Sequence, residues 1–161
     1  MGCGAGHLLS RLQSASGIRG VGVDFSRAAI RLCTERGIPG VVASVYQLPF
    51  RSAAFTIVTC CELLEHLDFP AKAVAEMMRV LSANGLLIVS VPSTAEGEAE
   101  DTDEHVQQFS ASSLRALVER WGEVVAIDRV RDFVIYPSGL RWPSDHLLAV
   151  VGKDVKDQEN R

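Results

Sequence analysis

Three glycines at alternate positions, followed by an acidic residue, form the pattern in this chain that is best suited to bind a ligand. They are Gly2, Gly4 and Gly6, and Asp24 closes the apolar run at residues 20–23. Glycine lets the backbone turn tightly and approach a ligand without a Cβ in the way, and an acidic side chain about 20 residues on can bind a ribose diol. Together these residues predict a site for an adenosine-containing cofactor.

Two adjacent residues further along the chain, Glu65 and His66, could transfer protons. His66 is the first candidate base because an imidazole titrates near neutrality, and Glu65 and His105 are the other candidates. An alternative stays open for each. Glu65 and His66 could simply begin a helix, with the carboxylate next to the positive end of the helix dipole, and His105 could be an exposed loop histidine.

Composition indicates one soluble globular domain, predicted over residues 1–152, with a polar tail at 153–161. The chain has 161 residues, of which 47% are hydrophobic, so it can bury a substantial core. The formal net charge of −4 comes without a basic stripe, which argues against a nucleic-acid partner. The longest apolar stretches are too short to span a bilayer.

The four cysteines, Cys3, Cys33, Cys60 and Cys61, lack C-x-x-C spacing. Neither a zinc knuckle nor a disulfide framework is indicated, and no metal site is expected. Buried reduced thiols are typical of cytosolic proteins, so the predicted location is the cytoplasm.

Apolar runs rich in valine and isoleucine alternate with segments of helical period, which is typical of an α/β fold with a mainly parallel sheet. Strands are predicted near residues 20–24, 40–43, 55–60, 86–91, 124–130 and 146–151. The gaps between them should be helical.

Four helices are predicted from capping residues and apolar stripes. The first spans about residues 6–14 with Leu8, Leu9 and Leu12 inward, and the second begins at the N-cap Ser26 and carries Ala29, Ile30 and Cys33. The third carries the stripe Val74, Met77, Met78 and Leu81 and stops at Asn84-Gly85, and the fourth follows Ser110 with Leu114, Leu117, Val118 and Trp121 inward.

Two connections are long. The acidic one between Ser93 and Gln108 is predicted to be a solvated loop, with an active-site lid as the alternative, and residues 131–145 are predicted to form an irregular turn or hairpin. In a complete α/β domain a buried strand precedes a glycine loop of this kind, whereas here only Met1 precedes it. The first strand is therefore expected to be missing.

The spacing of the glycines is G-x-G-x-G, and His7 stands where the dinucleotide pattern G-x-G-x-x-G would need glycine. The loop resembles motif I of the class I S-adenosylmethionine-dependent methyltransferases. Further family motifs follow in order over nearly the whole chain. Residues 21–26 resemble the second strand of the family, which ends in an acidic residue, and residues 45–58 resemble its "LPF…F-D-x-V" segment. Residues 60–67 resemble the "E-x-L-E-H" loop of small-molecule methyltransferases such as those of ubiquinone and menaquinone. Residues 79–85 resemble the "R-x-L-K-P-G-G" turn, and residues 105–121 resemble the "H-x-x-x-F-S…L…L" helix.

The resemblance implies a Rossmann-like doubly wound sheet with an antiparallel last strand, and methyl transfer from S-adenosylmethionine to a small organic acceptor. It assigns the three glycines to the methionine moiety and Asp24 to the ribose. Phe25 and Val45 would face the adenine, Ser44 would meet its edge in place of the aspartate common in the family, and Cys61 would line the methyl end.

Two other functions stay open. One is a catalytically inactive or truncated methyltransferase-like binding module. The other is an NAD(P)-dependent oxidoreductase, which the glycine spacing and the lack of a Tyr-x-x-x-Lys pair disfavour.

Overall fold

The computed structural model of the protein describes residues 1–93, 106–135 and 141–153. Within the chain, residues 1–51 and residues 52–161 form two compact units. The predicted single domain over residues 1–152 stays a prediction, and of the predicted tail only Lys153 belongs to the described part.

In the first unit two helices alternate with two strands. Its elements are α1 (His7–Ser16), β1 (Gly22–Asp24), α2 (Arg27–Glu35) and β2 (Gly40–Val42). The strands pair in parallel, with Gly22 opposite Gly40 and Asp24 opposite Val42. The carboxyl ends of both strands therefore lie at one edge, where ligands bind in open α/β sheets.

The two helices of the first unit differ in how well the sequence predicted them. In α2 the N-cap Ser26 is confirmed, since its Oγ accepts a hydrogen bond from the Ala29 N–H at 3.3 Å, and Ile30 and Cys33 are buried. In α1 the prediction was wrong for Leu8, which is 45% exposed, and the helix has no fully buried residue. A step of about 100° per residue turns Leu8 away when Leu9 faces Gly20.

The second unit holds four strands: β3 (Phe55–Cys61), β4 (Leu81–Pro92), β5 (Glu123–Ile135) and β6 (Arg141–Gly152). They form a sheet in the order β3-β4-β6-β5. Strands β3 and β4 are parallel, and β6 is antiparallel to both β4 and β5, so that β3, β4 and β5 run one way and β6 the other. The predicted α/β fold with an antiparallel last strand is confirmed.

Two helices cover this sheet, α3 (Pro70–Val80) and α4 (Ala111–Val118). In α3, Met77 is fully buried and Met78 is 4% exposed, which confirms the predicted core stripe. In α4 the predicted cap is confirmed as a capping box between Ser110 and Ser113, and Leu114 and Val118 are buried. Both helices bury their apolar faces, as their sequence period requires.

Some predicted boundaries were wrong. The third helix ends at Val80, because Leu81 is already extended with a ψ of 134°, and Leu81 is a fully buried first residue of β4. Asn84 does turn the chain in the left-handed conformation, with a φ of 60°, but it does so inside β4. The Lys153 ammonium donates to the Met78 and Leu81 carbonyls at 2.6 Å each and so satisfies carbonyls at the helix end.

Strands β5 and β6 are longer than predicted, because their register continues to the pair Ile135 and Arg141 and so includes residues 131–135 and 141–145 in two antiparallel strands. The acidic connection with its possible lid lies mostly outside the described residues, as do residues 136–140. None of the described helices has the length and the hydrophobicity that a bilayer crossing requires.

Candidate functional site

The glycine loop of the first unit has the conformation that its composition predicts. Gly2, Gly4 and Gly6 have φ angles of 61°, 50° and 79°, all in the left-handed region that side chains disfavour. A Cβ at Gly6 would lie 2.8 Å from the Cys33 sulfur, whereas a Cβ at Gly4 would meet no atom within 4 Å. The loop thus packs closely against α2 on one side and leaves room for a ligand at Gly4.

Backbone hydrogen bonds fix this loop to the first sheet. The Cys3 N–H donates to the Val23 carbonyl at 3.0 Å, and the Gly6 N–H closes a turn onto the Cys3 carbonyl at 2.9 Å. The first of these bonds joins the loop to β1. Since preorganised loops lose less entropy on binding, this bonding suits a ligand site.

The Asp24 carboxylate connects the two halves of the predicted motif. Its Oδ2 accepts a hydrogen bond from the Gly4 N–H at 2.9 Å, and its Oδ1 accepts one from the Ser26 N–H at 2.9 Å. Each carboxylate oxygen has two lone-pair sites, so each keeps capacity for one hydroxyl of a ribose. The structure therefore brings the glycine loop and the acidic residue together and orients the acid.

The other residues predicted to contact an adenine flank Asp24 at the carboxyl edge of the first sheet. Phe25 is 82% exposed, which leaves its ring face available to a ligand. Ser44 is exposed, and its Oγ accepts from the Tyr46 N–H at 3.2 Å, so its hydroxyl proton can still be donated. Val45 is half-buried beside it. The Ala43 N–H donates to the Asp24 carbonyl at 3.0 Å, which ties this segment to β1.

Sequence reasoning missed an arginine that secures the glycine loop. Arg36 Nε donates to the Ala5 carbonyl at 2.9 Å, and its Nη2 lies 3.2 Å from His7 Nε2. The sequence held no signal for these contacts, because two helices and a strand separate Arg36 from the loop. Within the loop, burial raises the pKa of Cys3 to about 12, with Cys33 and Asp24 contributing in the same direction. Cys3 is therefore a neutral packing residue at physiological pH.

In the second unit the predicted residues follow β3 at the carboxyl edge of the sheet. Cys61, the last residue of β3, is half-buried, and a 3₁₀ turn at Leu64–His66 contains the predicted Glu65 and His66. Glu65 is 2% exposed, and its Oε1 lies 3.8 Å from Nε2 of His66, whose side chain is 42% exposed. The pair is adjacent in space, with the carboxylate inside and the imidazole outside.

A polar cluster that sequence reasoning missed lies at the same edge. Ser90 Oγ donates to Glu62 Oε1 at 2.6 Å, and His146 Nδ1 lies 3.1 Å from Glu62 Oε2. The signal that could have found it is Glu62, an acid directly after a strand within the "E-x-L-E-H" segment. The histidine could not be assigned to it because its strand is far away in sequence.

His105 lies outside the described residues. Among the described residues, no three His, Cys, Asp or Glu side chains lie together as a metal site would require.

Comparison with known proteins agrees with this geometry. A family model described as a methyltransferase domain matches residues 1–89. The chain is similar to the ubiquinone biosynthesis O-methyltransferase of Ralstonia nicotianae, with 31% identity over 97 residues that cover 56% of this chain and 40% of that protein. It is also similar to the tRNA (carboxymethyluridine(34)-5-O)-methyltransferase of Arabidopsis thaliana, with 31% identity over 104 residues that cover 63% of this chain and 24% of that protein. The chain spans less than half the length of either relative.

The fold of the chain is also similar to that of a solved methyltransferase. A crystal structure of an S-adenosylmethionine-dependent methyltransferase from Thermotoga maritima superposes with a TM-score of 0.73 at 20% identity, covering 95% of this chain and 80% of that one. The segment that the family model matches contains the glycine loop, Asp24 and β3. On these grounds the chain belongs to the class I S-adenosylmethionine-dependent methyltransferases, with the Rossmann-like fold of that family.

Proposed function

We propose that this protein transfers a methyl group from S-adenosylmethionine to a small organic acceptor. The observation that carries the proposal is the hydrogen bond between the Asp24 carboxylate and the Gly4 N–H at 2.9 Å, which couples the acid to the loop. In this arrangement one ligand can contact both. Family membership supports the methyltransferase over the NAD(P)-dependent oxidoreductase.

The proposed contacts of the donor lie in the first unit. Gly2, Gly4 and Gly6 face its amino-acid end, and the room at Gly4 fits that approach. Asp24 accepts from the ribose hydroxyls with the lone pairs that its two backbone donors leave over. Phe25 and Val45 pack against the faces of the adenine, and Ser44 meets its edge.

When bound, the donor supplies an electrophilic methyl group on a sulfonium. Methyl transfer is an in-line displacement, so the protein's main tasks are to hold the nucleophile in line and to exclude water. In the second unit Cys61, Glu65 and His66 are the proposed residues of the methyl-acceptor end. A proton-accepting residue is needed only when the acceptor must lose a proton, and Glu65 and His66 are the candidates for that role.

A small acceptor is favoured over a nucleic acid by charge. The net charge is −4, whereas proteins that bind phosphate backbones usually carry a basic surface. All four cysteines are free thiols, which supports a cytoplasmic location.

Calorimetry tests the proposal directly. S-Adenosylhomocysteine titrated into the chain should bind at one site per chain, and NAD in a parallel titration should give no heat beyond dilution. Binding of NAD without S-adenosylhomocysteine would overturn the proposal. Binding of S-adenosylhomocysteine without transfer of labelled methyl to any acceptor in a phenol, amine and thiol panel would instead favour the inactive binding module.

A further inference from the structure

The end of α2 provides a fixed base for a side chain that reaches the glycine loop. Arg36 is the C-cap of this helix, and its N–H donates to the Cys33 carbonyl at 3.2 Å. Gly37, the next residue, is left-handed with a φ of 76°, and its N–H donates to the Thr34 carbonyl at 2.9 Å. These bonds close the helix end, as left-handed glycines commonly do. The backbone from which the Arg36 side chain extends is therefore well defined.

The Arg36 guanidinium fixes one peptide group of the loop. Its Nε donates to the Ala5 carbonyl at 2.9 Å, and the N–H of the same peptide, which belongs to Gly6, donates to the Cys3 carbonyl at 2.9 Å. A planar peptide whose oxygen and hydrogen are both bonded cannot rotate without breaking one of these bonds. This peptide follows Gly4, where a Cβ would meet no atom within 4 Å and where the donor is proposed to approach.

The guanidinium is held in turn by His7, the first residue of α1. Arg36 Nη2 lies 3.2 Å from His7 Nε2. Since a guanidinium can only donate, the imidazole nitrogen must accept, which requires a neutral ring with its proton on Nδ1. Two nitrogens of one planar group thus bond to two partners. A lysine ammonium, which is a point charge, cannot reproduce this fork.

The acids of the first unit are engaged elsewhere. Asp24 accepts from two backbone N–H groups, and Glu35 pairs at 3.7 Å with another arginine of α2. The Cys3 thiol is neutral near physiological pH because burial raises its pKa to about 12. Within the first unit, His7 is therefore the group whose titration changes the charge beside Arg36.

Protonation of His7 would oppose the contact. The charged imidazole has no lone pair left for the guanidinium, and it brings a second positive charge close to the first. The two like charges repel, by a modest amount because both side chains are exposed to water. Arg36 would then leave the Ala5 carbonyl more often, and the peptide after Gly4 would lose one of its two bonds.

From these contacts we infer that Arg36 is a positioning residue for the donor, that neutral His7 keeps it in place, and that acid therefore weakens donor binding. The inference rests on the proposed function, which assigns the amino-acid end of the donor to the glycine loop. Arg36 acts through the peptide between Ala5 and Gly6, and His7 acts through Arg36.

Calorimetry with S-adenosylhomocysteine at about pH 7.5 and about pH 5.5 tests the inference, since histidine titrates between these values. The proteins are the wild type and the variants Arg36→Met, Arg36→Lys, His7→Gln and Arg31→Met. The last is the matched control, because it removes the same charge from an exposed position of the same helix. Urea denaturation at both pH values checks that each protein is folded.

At the higher pH, Arg36→Met should bind S-adenosylhomocysteine about 2- to 10-fold more weakly than the wild type, the usual effect of one lost hydrogen bond. Arg36→Lys should recover only part of this loss, and Arg31→Met should match the wild type. A merely structural role of Arg36 would lower the free energy of unfolding and leave the affinity of the folded protein unchanged. Wild-type affinity in folded Arg36→Met would therefore overturn the inference.

The pH response tests the part of His7. Between the higher and the lower pH, the affinity of the wild type should fall by about 2- to 5-fold, the range for exposed charge pairs. His7→Gln keeps an acceptor that does not titrate, so its affinity should stay constant, and Arg36→Met should also lose the response. Arg31→Met should keep it. A wild-type pH response in His7→Gln would overturn the inference.

Failure of the proposed function looks different, because the wild-type protein then binds no S-adenosylhomocysteine at either pH. In that case amide hydrogen exchange at the hydrogen-bonded N–H groups of Gly4 and Gly6 decides. Both should exchange about 2- to 10-fold faster in Arg36→Met than in the wild type, and at the wild-type rate in Arg31→Met. Unchanged exchange at both glycines in Arg36→Met would overturn the inference.

Discussion

The Asp24 carboxylate makes the sharpest prediction of the first unit. It accepts two backbone hydrogen bonds of 2.9 Å, from the Gly4 and Ser26 N–H groups, and is proposed to accept further ones from a ribose. Asp24→Ala removes all of these acceptors. Affinity for S-adenosylhomocysteine should therefore fall, both because the loop loosens and because the ribose loses its partner.

A ligand that lacks the ribose hydroxyls separates these two causes. Hydrogen bonds to a charged group contribute about 1.5–3 kcal/mol, which corresponds to roughly 10- to 150-fold in affinity. The wild-type protein should prefer S-adenosylhomocysteine over its 2′,3′-dideoxy analogue by that factor. Asp24→Ala should bind the two ligands almost equally, since loosening of the loop affects both alike and cancels in the ratio.

The assay is calorimetry with both ligands on each protein. Glu35→Gln is the matched control, because Glu35 is an exposed acid in the same unit and pairs with Arg31 at 3.7 Å. It should keep the wild-type ratio. If Asp24→Ala weakens both ligands by the same factor and keeps the wild-type preference, the carboxylate acts on the loop alone and its assignment to the ribose is wrong.

Three further predictions concern stability. Gly22→Ala would place a Cβ 2.6 Å from the Cys3 sulfur and should cost about 1–3 kcal/mol in urea denaturation, whereas Gly152→Ala, with nothing nearer than 3.6 Å, should cost less. Met77→Ala should lower the free energy of unfolding by about 2–5 kcal/mol because Met77 is fully buried, and a loss below about 1 kcal/mol would refute that packing role. Burial raises the pKa of Cys60 from 9.0 to about 12. The stability that the neutral Cys60 thiol contributes should thus be complete below about pH 9 and be lost as the pH rises toward 12. In urea denaturation the wild-type protein should therefore lose stability relative to Cys60→Ala between pH 9 and pH 12.

Local signals in the sequence predicted the elements well where one residue decides the geometry. Ser26 and Ser110 cap their helices because a serine oxygen accepts a hydrogen bond from a first-turn N–H that has no acceptor within the helix. The end of α3 was wrong because Leu81 fits a helical stripe as well as a buried strand. Only the pairing of Leu81 with Phe55 in the parallel sheet shows that Leu81 belongs to the strand.

The residues of the candidate site also differ in whether the sequence predicts them. The glycine loop and Asp24 are recognisable because their chemistry depends on spacing within one β-α unit. Glu62 and His146 are not recognisable in the sequence as neighbours, because their 3.1 Å contact requires β3, β4 and β6 to lie side by side in that order. Sequence shows the residue types, and topology alone brings such distant residues together.

The left-handed backbone at Glu62 bears on any attempt to engineer this protein. Glycine adopts that φ of 50° without penalty, so Glu62→Gly should raise thermal stability while it removes the carboxylate. A library sorted for heat resistance would accordingly enrich glycine at this position and lose the carboxylate that accepts the Ser90 hydrogen bond.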